Sequence, residues 1–112
     1  MSENLREQLL LLPAYFHGHL LLTLFAITMG VLISFPLGVC AERSARVKRP
    51  LLAVVSIVQT FPSLAILALV VALRGGRIGF LPAFIALTLY SMLPIVRNTV
   101  TGLASVSASV VE

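Results

Sequence analysis

The 112-residue chain is 59% hydrophobic and 11% charged, with a mean hydropathy of +1.07 and a formal net charge of +4. That balance excludes an ordinary water-soluble domain and points to lipid as the main solvent. The basic residues sit in short segments between apolar runs, not in a stripe interleaved with aromatics, which is the pattern of topology-setting charge and argues against a nucleic-acid partner.

Residues 1–16 open with Glu3, Arg6 and Glu7, then Leu9 to Leu12 before Pro13. This stretch is too charged at its start to span and is expected to lie in the outer membrane interface. It is no cleavable signal, because its acids outnumber its bases and the apolar run that follows is too long. Three stretches without a formal charge, Gln8 to Ala41, Pro50 to Leu73 and Ile78 to Val96, are each long enough for the roughly 20 apolar residues that a bilayer core requires. Three transmembrane helices are expected, at about 18–41, 50–73 and 81–103, in a single domain over 1–112. Cys40 is the sole cysteine, so an internal disulfide is excluded.

In the first span, Ala26, Gly30, Ser34 and Gly38 recur every fourth residue and form one stripe of small side chains, a surface for close helix packing. Between the first two spans, Glu42 to Arg49 holds four basic residues and one acid and is expected to be a loop, with Pro50 opening the second helix. In that helix Ser56, Gln59, Thr60 and Ser63 follow an i, i+3, i+4, i+7 pattern, placing the polar groups on one face. A Gln amide facing lipid would lack partners, so this face suits either hydrogen bonding to another helix or the lining of a transport route. Pro62 removes a backbone hydrogen bond there and predicts a bend.

Arg74 to Gly79 contains three glycines and predicts a tight outer turn. Helix 3 opens near Pro82 and carries Thr88, Ser91 and Pro94, then Arg97, Asn98 and Thr99. Arg97 lies about 22 Å along the axis from Pro82, at the depth where an arginine snorkels to the inner headgroups or meets a cytoplasmic partner. Five basic residues on one side of the membrane against three on the other place the N-terminus outside and the C-terminus in the cytoplasm.

Catalytic apparatus is absent from the pattern. His17 and His19 point about 200° apart on a helix and have no companion carboxylate, so no metal site is expected, and no nucleophile–base set, phosphate loop or cofactor motif appears. No carboxylate lies inside an apolar run, which argues against a proton-coupled exporter. A small membrane protein that binds or regulates a partner remains an alternative.

Pro82 to Thr99 with Gly102 and Leu103, the segment Gln59-Thr60-Phe61-Pro62-Ser63-Leu64-Ala65, and Phe35-Pro36-Leu37-Gly38 together resemble the permeases of binding-protein-dependent ABC importers for glycine betaine, choline, proline and related osmoprotectants. The resemblance covers nearly all of residues 17–112. It implies the N-terminal part of a type I importer permease fold in the inner membrane, partnered by cytoplasmic ATPase subunits, a second permease chain and an extracytoplasmic substrate-binding protein. It further implies a coupling loop beginning Glu-Ala-Ala, of which Glu112 would be the first residue, so the chain is expected to be a truncated form. Under this resemblance Ser56, Gln59, Thr60, Ser63, Thr88 and Ser91 border the substrate pathway, and Arg97, Asn98 and Glu112 belong to cytoplasmic coupling.

Overall fold

The computed structural model describes residues 2–106 and Val110, and within them every regular element is helical. Helix α1 covers Glu3–Arg43, α2 Ala45–Val58, α3 Ser63–Leu73 and α4 Phe80–Ala104. The protein is an all-α membrane protein. Most of its large apolar side chains, among them Leu10, Leu24, Leu32, Leu64 and Leu73, are exposed, and the buried set is small side chains at helix contacts. Such a surface is stable in hydrocarbon and not in water.

α1 runs without interruption through Pro13 and Pro36. Its 41 residues rise about 60 Å, in keeping with the molecule's 65 Å long axis. Residues 3–16, expected as a separate interfacial segment ahead of the first span, are therefore the N-terminal turns of the same helix. Proline costs a helix one hydrogen bond and some straightness, and both losses are tolerated where neighbouring turns keep their bonds.

The expected loop at Glu42 to Arg49 is also helical, apart from Ser44. Ser44 is extended, ends α1, and through its carbonyl accepts the first amides of α2, from Val47 at 3.1 Å and Lys48 at 2.9 Å. Ala, Arg, Lys and Val follow, and the first three are strong helix formers, so Ala45 and not Pro50 opens the second span. Across the junction Lys48 Nζ lies 2.9 Å from a Glu42 carboxylate oxygen.

The second span is broken. α2 and α3 meet at 97° about Gln59–Pro62. The amides of Thr60 and Phe61 tighten onto the carbonyls of Ile57 and Val58, three residues back, and Thr60 Oγ1 donates to Ile57 O at 2.6 Å. Pro62 then turns extended and disfavours a helical conformation at Phe61, and α3 starts afresh at Ser63. The expected bend is thus a full break.

α3 ends in a glycine turn. Gly75 and Gly76 adopt φ of 74° and 78°, and the Gly76 amide reaches Val71 O at 2.9 Å while that of Gly75 reaches Ala72 O at 3.1 Å. This double closure satisfies the last carbonyls of α3 and requires left-handed residues. By length and composition α1 and α4 can each cross a membrane, and the bent pair α2–α3 makes a third crossing if it counts as one span.

Candidate functional site: the α1–α4 seam and the elbow of the second span

α1 and α4 pack in parallel. Gly30 lies against Ser91, Ser34 Oγ donates to Met92 O at 3.4 Å, and Gly38 lies against Thr99, so both helices advance together. Ala26, Gly30, Ser34, Gly38 and Ala41 are all buried there. The approach is close enough to require glycine: a Cβ on Gly38 would stand 2.7 Å from Thr99 Cβ and Cγ2, and one on Gly30 would overlap the Ser91 hydroxyl. In lipid, such backbone proximity replaces the hydrophobic effect as the source of helix association.

The second span and α4 form a hairpin about the Gly76–Arg77 turn, and residues equidistant from that turn meet. Ser63 shares a small pocket of about 140 Å³ with Tyr90, walled by Leu64, Leu67, Ala83, Ala86 and Leu87. Farther from the turn, an Arg97 Nη donates to Ser56 Oγ, tying α2 to the C-terminal half of α4. Sequence reasoning treated Arg97 only as an anchor or an outward contact. Its equal distance from the turn was the signal that pairs it with Ser56.

The polar residues assigned to a pathway are therefore distributed over three places. Ser56 is held by Arg97, Gln59 and Thr60 form the elbow, with Gln59 half-buried and Thr60 exposed, and Ser63 faces the Tyr90 pocket. Thr88 and Ser91 turn the other way, into the α1 seam, where Ser91 Oγ donates to Thr88 O at 2.9 Å and Thr88 Oγ1 is buried without a partner. The structure does not bring these two to the elbow. Asn98 is exposed beside Arg97, and Glu112 lies outside the described residues.

Inside the elbow, Val54 and Val58 of α2, Phe61, Ala65, Ile66 and Leu69 along the bend and α3, and Leu89, Met92 and Leu93 of α4 enclose an open apolar cleft of about 580 Å³. No group of three or more His, Cys, Asp or Glu able to hold a metal occurs among the described residues.

Close-packed apolar helices with one broken span define an integral membrane protein. Residues 24–112 match the family described as binding-protein-dependent transport system inner membrane component, and the chain belongs to that family. It is 44% identical over 96 residues to the choline transport system permease protein OpuBB of Bacillus subtilis, which covers 86% of this chain and 43% of that protein. It is 43% identical over 94 residues to the carnitine transport permease protein OpuCB of Listeria monocytogenes, covering 84% of this chain and 42% of that protein. With the osmoprotectant import permease protein OsmW of Salmonella typhimurium it shares 42% over 90 residues, 78% of this chain and 42% of that protein. The chain thus spans about two fifths of the length of these relatives, all of them transport permeases. No solved structure matches it.

Proposed function

We propose that the chain is a permease component of an ATP-driven importer for small osmoprotectants of the choline, carnitine and glycine betaine kind. The observation that carries this reading is the 44% identity over 96 residues to a choline transport permease. ATP hydrolysis belongs to separate cytoplasmic ATPase subunits, and ligand selection to an extracytoplasmic binding protein; a second permease chain completes the membrane unit. The N-terminus lies outside and the C-terminus in the cytoplasm.

Within this unit the route runs past the elbow. Gln59, Thr60 and Ser63 supply its polar groups, because they stand where two half-helices end and leave backbone groups without in-helix partners. Ser56 sets the inner edge of the elbow through Arg97, while Thr88 and Ser91 shape the route only through the seam behind it. Arg97 and Asn98 lie toward the ATPase side.

The test is a segment replacement. The stretch of the B. subtilis choline permease that aligns with this chain is exchanged for the corresponding residues here, and choline uptake is measured in cells lacking other choline importers. Retained, ATP-dependent uptake is expected. A hybrid that reaches the membrane in normal amount yet takes up no choline counts against the reading, and a hybrid carrying Gln59→Leu with unchanged uptake removes Gln59 from the route.

A further inference from the structure

The basic residues that follow α1 divide between two faces of α2. At about 100° per residue, Lys48, Leu51, Leu52 and Val55 fall within one arc of about 100°, and Arg46, Arg49, Pro50, Ala53 and Ile57 fall within an equal arc on the opposite side. Burial follows the same division: the first set is buried or half-buried against the bundle, and every member of the second is exposed, Ile57 by 61%. Lys48, on the inward face, has its counter-ion in Glu42 at 2.9 Å. Arg46 and Arg49 form no ion pair among the described residues, where the other acids, Glu3 and Glu7, lie about 50 Å away along α1. Arg43, across the Ser44 junction, is exposed and likewise forms no ion pair among them.

The outward face also changes character along its length. The charge-free run of α1 ends at Ala41, which puts the guanidinium groups of Arg46 and Arg49 at the membrane surface. From there α2 descends: Ser56 accepts the Arg97 bond, and the contact of Gly38 with Thr99 sets Arg97 about level with Pro36, roughly 10 Å deeper than Arg43. The exposed strip thus passes from two arginines to Pro50, Ala53 and Ile57 as it goes from headgroup depth into hydrocarbon. Water or an acidic soluble partner would satisfy the arginines and leave Ile57 without cover. A phospholipid offers an anion and then a hydrocarbon chain in that order, and the rise of about 12 Å from Arg49 to Ile57 fits within the ~15 Å hydrocarbon depth of one leaflet.

We propose that Arg46 and Arg49 of α2 hold the phosphate of one anionic phospholipid whose acyl chain lies along Pro50, Ala53 and Ile57. Side chains three apart on a helix have Cβ atoms about 5–6 Å apart, so both guanidinium groups reach a single phosphate, and the forked donors of arginine match its oxygens. The uncompensated charge of Arg43, Arg46 and Arg49 selects an anionic lipid, since it repels the quaternary ammonium of a zwitterionic phosphatidylcholine. The site depends on the chain's lying in a membrane and not on which solute it helps to move.

Native mass spectrometry tests it on the full chain, released from micelles doped with equal amounts of phosphatidylglycerol and phosphatidylcholine of one acyl length. Phosphatidylglycerol retention at least fivefold above that of phosphatidylcholine is expected. Arg46→Gln with Arg49→Gln should lower it at least fivefold at unchanged helical content, and Arg46→Lys with Arg49→Lys should lower it less. Arg74→Gln with Arg77→Gln, which removes equal charge from the exposed glycine turn, should leave it unchanged. Ile57→Ser should lower it at least twofold. Equal loss from both glutamine pairs would mean diffuse charge attraction, and equal retention of the two lipids would mean no selection; either overturns the proposal. Displacement by millimolar inorganic phosphate would make the pair a site for soluble anions, and unchanged retention in Ile57→Ser would remove the acyl chain from α2, each overturning it as well. The hybrid choline permease carrying this segment separates lipid from protein: if the glutamine pair has no effect on retention there, the remainder of the permease covers this face and the lipid site falls. Arginine-dependent retention by a hybrid that takes up no choline would uphold the site while the transport reading falls.

Discussion

Gly38→Ala tests the α1–α4 seam directly. The new Cβ would lie 2.7 Å from two Thr99 carbons, where ordinary contact begins at 3.4 Å, so the helices must part by roughly 0.7 Å or Thr99 must leave its rotamer. Overpacking of this kind costs about 1–3 kcal/mol, and the better helix propensity of alanine returns at most about 1 kcal/mol, leaving a net loss of roughly 1–2 kcal/mol. The obstacle at Gly30 is the movable hydroxyl of Ser91 followed by its Cβ at 3.3 Å, so Gly30→Ala should cost less. Gly18 has open space around it, and Gly18→Ala should be neutral or slightly stabilising. SDS titration in mixed micelles, followed by circular dichroism, gives the order Gly38, Gly30, Gly18. The decisive control is Gly38→Ala with Thr99→Gly: relief of the clash should appear as a coupling above about 0.5 kcal/mol. A Gly38→Ala protein as stable as the parent, or strictly additive substitutions, would refute the close approach.

Pro62→Ala restores an amide proton and frees Phe61 for the helical region, so the 97° break should open toward a straight span; spin labels on α2 and α3 should report a longer separation, and an unchanged distance would place the cause of the break elsewhere. Arg97→Gln removes the charged donor to Ser56, a bond of a class worth about 1.5–3 kcal/mol, less here for its exposure; α2 should loosen from α4 in the same labelling experiment, and Ser56→Ala should reproduce the effect. Lys48→Gln breaks a partly exposed ion pair worth at most about 1 kcal/mol, and its cost should vanish in high salt.

The spans and the small-residue stripe were legible because each depends on side-chain type at short range. Charge-free length marks what lipid will accept, and a fourfold recurrence of small residues marks where backbones can touch. The break was only half legible. Pro13, Pro36, Pro50, Pro82 and Pro94 all sit within helices, and Pro62 alone ends one. The turn before Pro62 is tightened as well, with the Thr60 amide and hydroxyl both donating to the Ile57 carbonyl, and α3 restarts directly after the extended Pro62. The charge-rich segment at 42–49 misled for the opposite reason, since a cluster of basic residues marks a membrane surface without saying whether the backbone there is coiled or helical. That Thr88 and Ser91 lie on the α1 side of α4, away from Gln59, was not legible, because one helix shows different faces to two neighbours and the sequence of α4 alone does not say which neighbour takes which face.

These particulars fix how motion could pass through the unit. α4 is gripped by α1 along a close seam, and by the second span at two separate places, the Ser63–Tyr90 pocket nearer the glycine turn and the Ser56–Arg97 bond farther from it. Between them lies the elbow, where hydrogen bonding is at its thinnest and an apolar cleft of about 580 Å³ leaves room for side chains to shift. Arg97 thus ties the C-terminal half of α4 to α2, and the Gln59–Pro62 break separates that tie from the packing of α3 against α4. The break divides a span that would otherwise move as one rod, so that α2 and α3 can shift separately against α4.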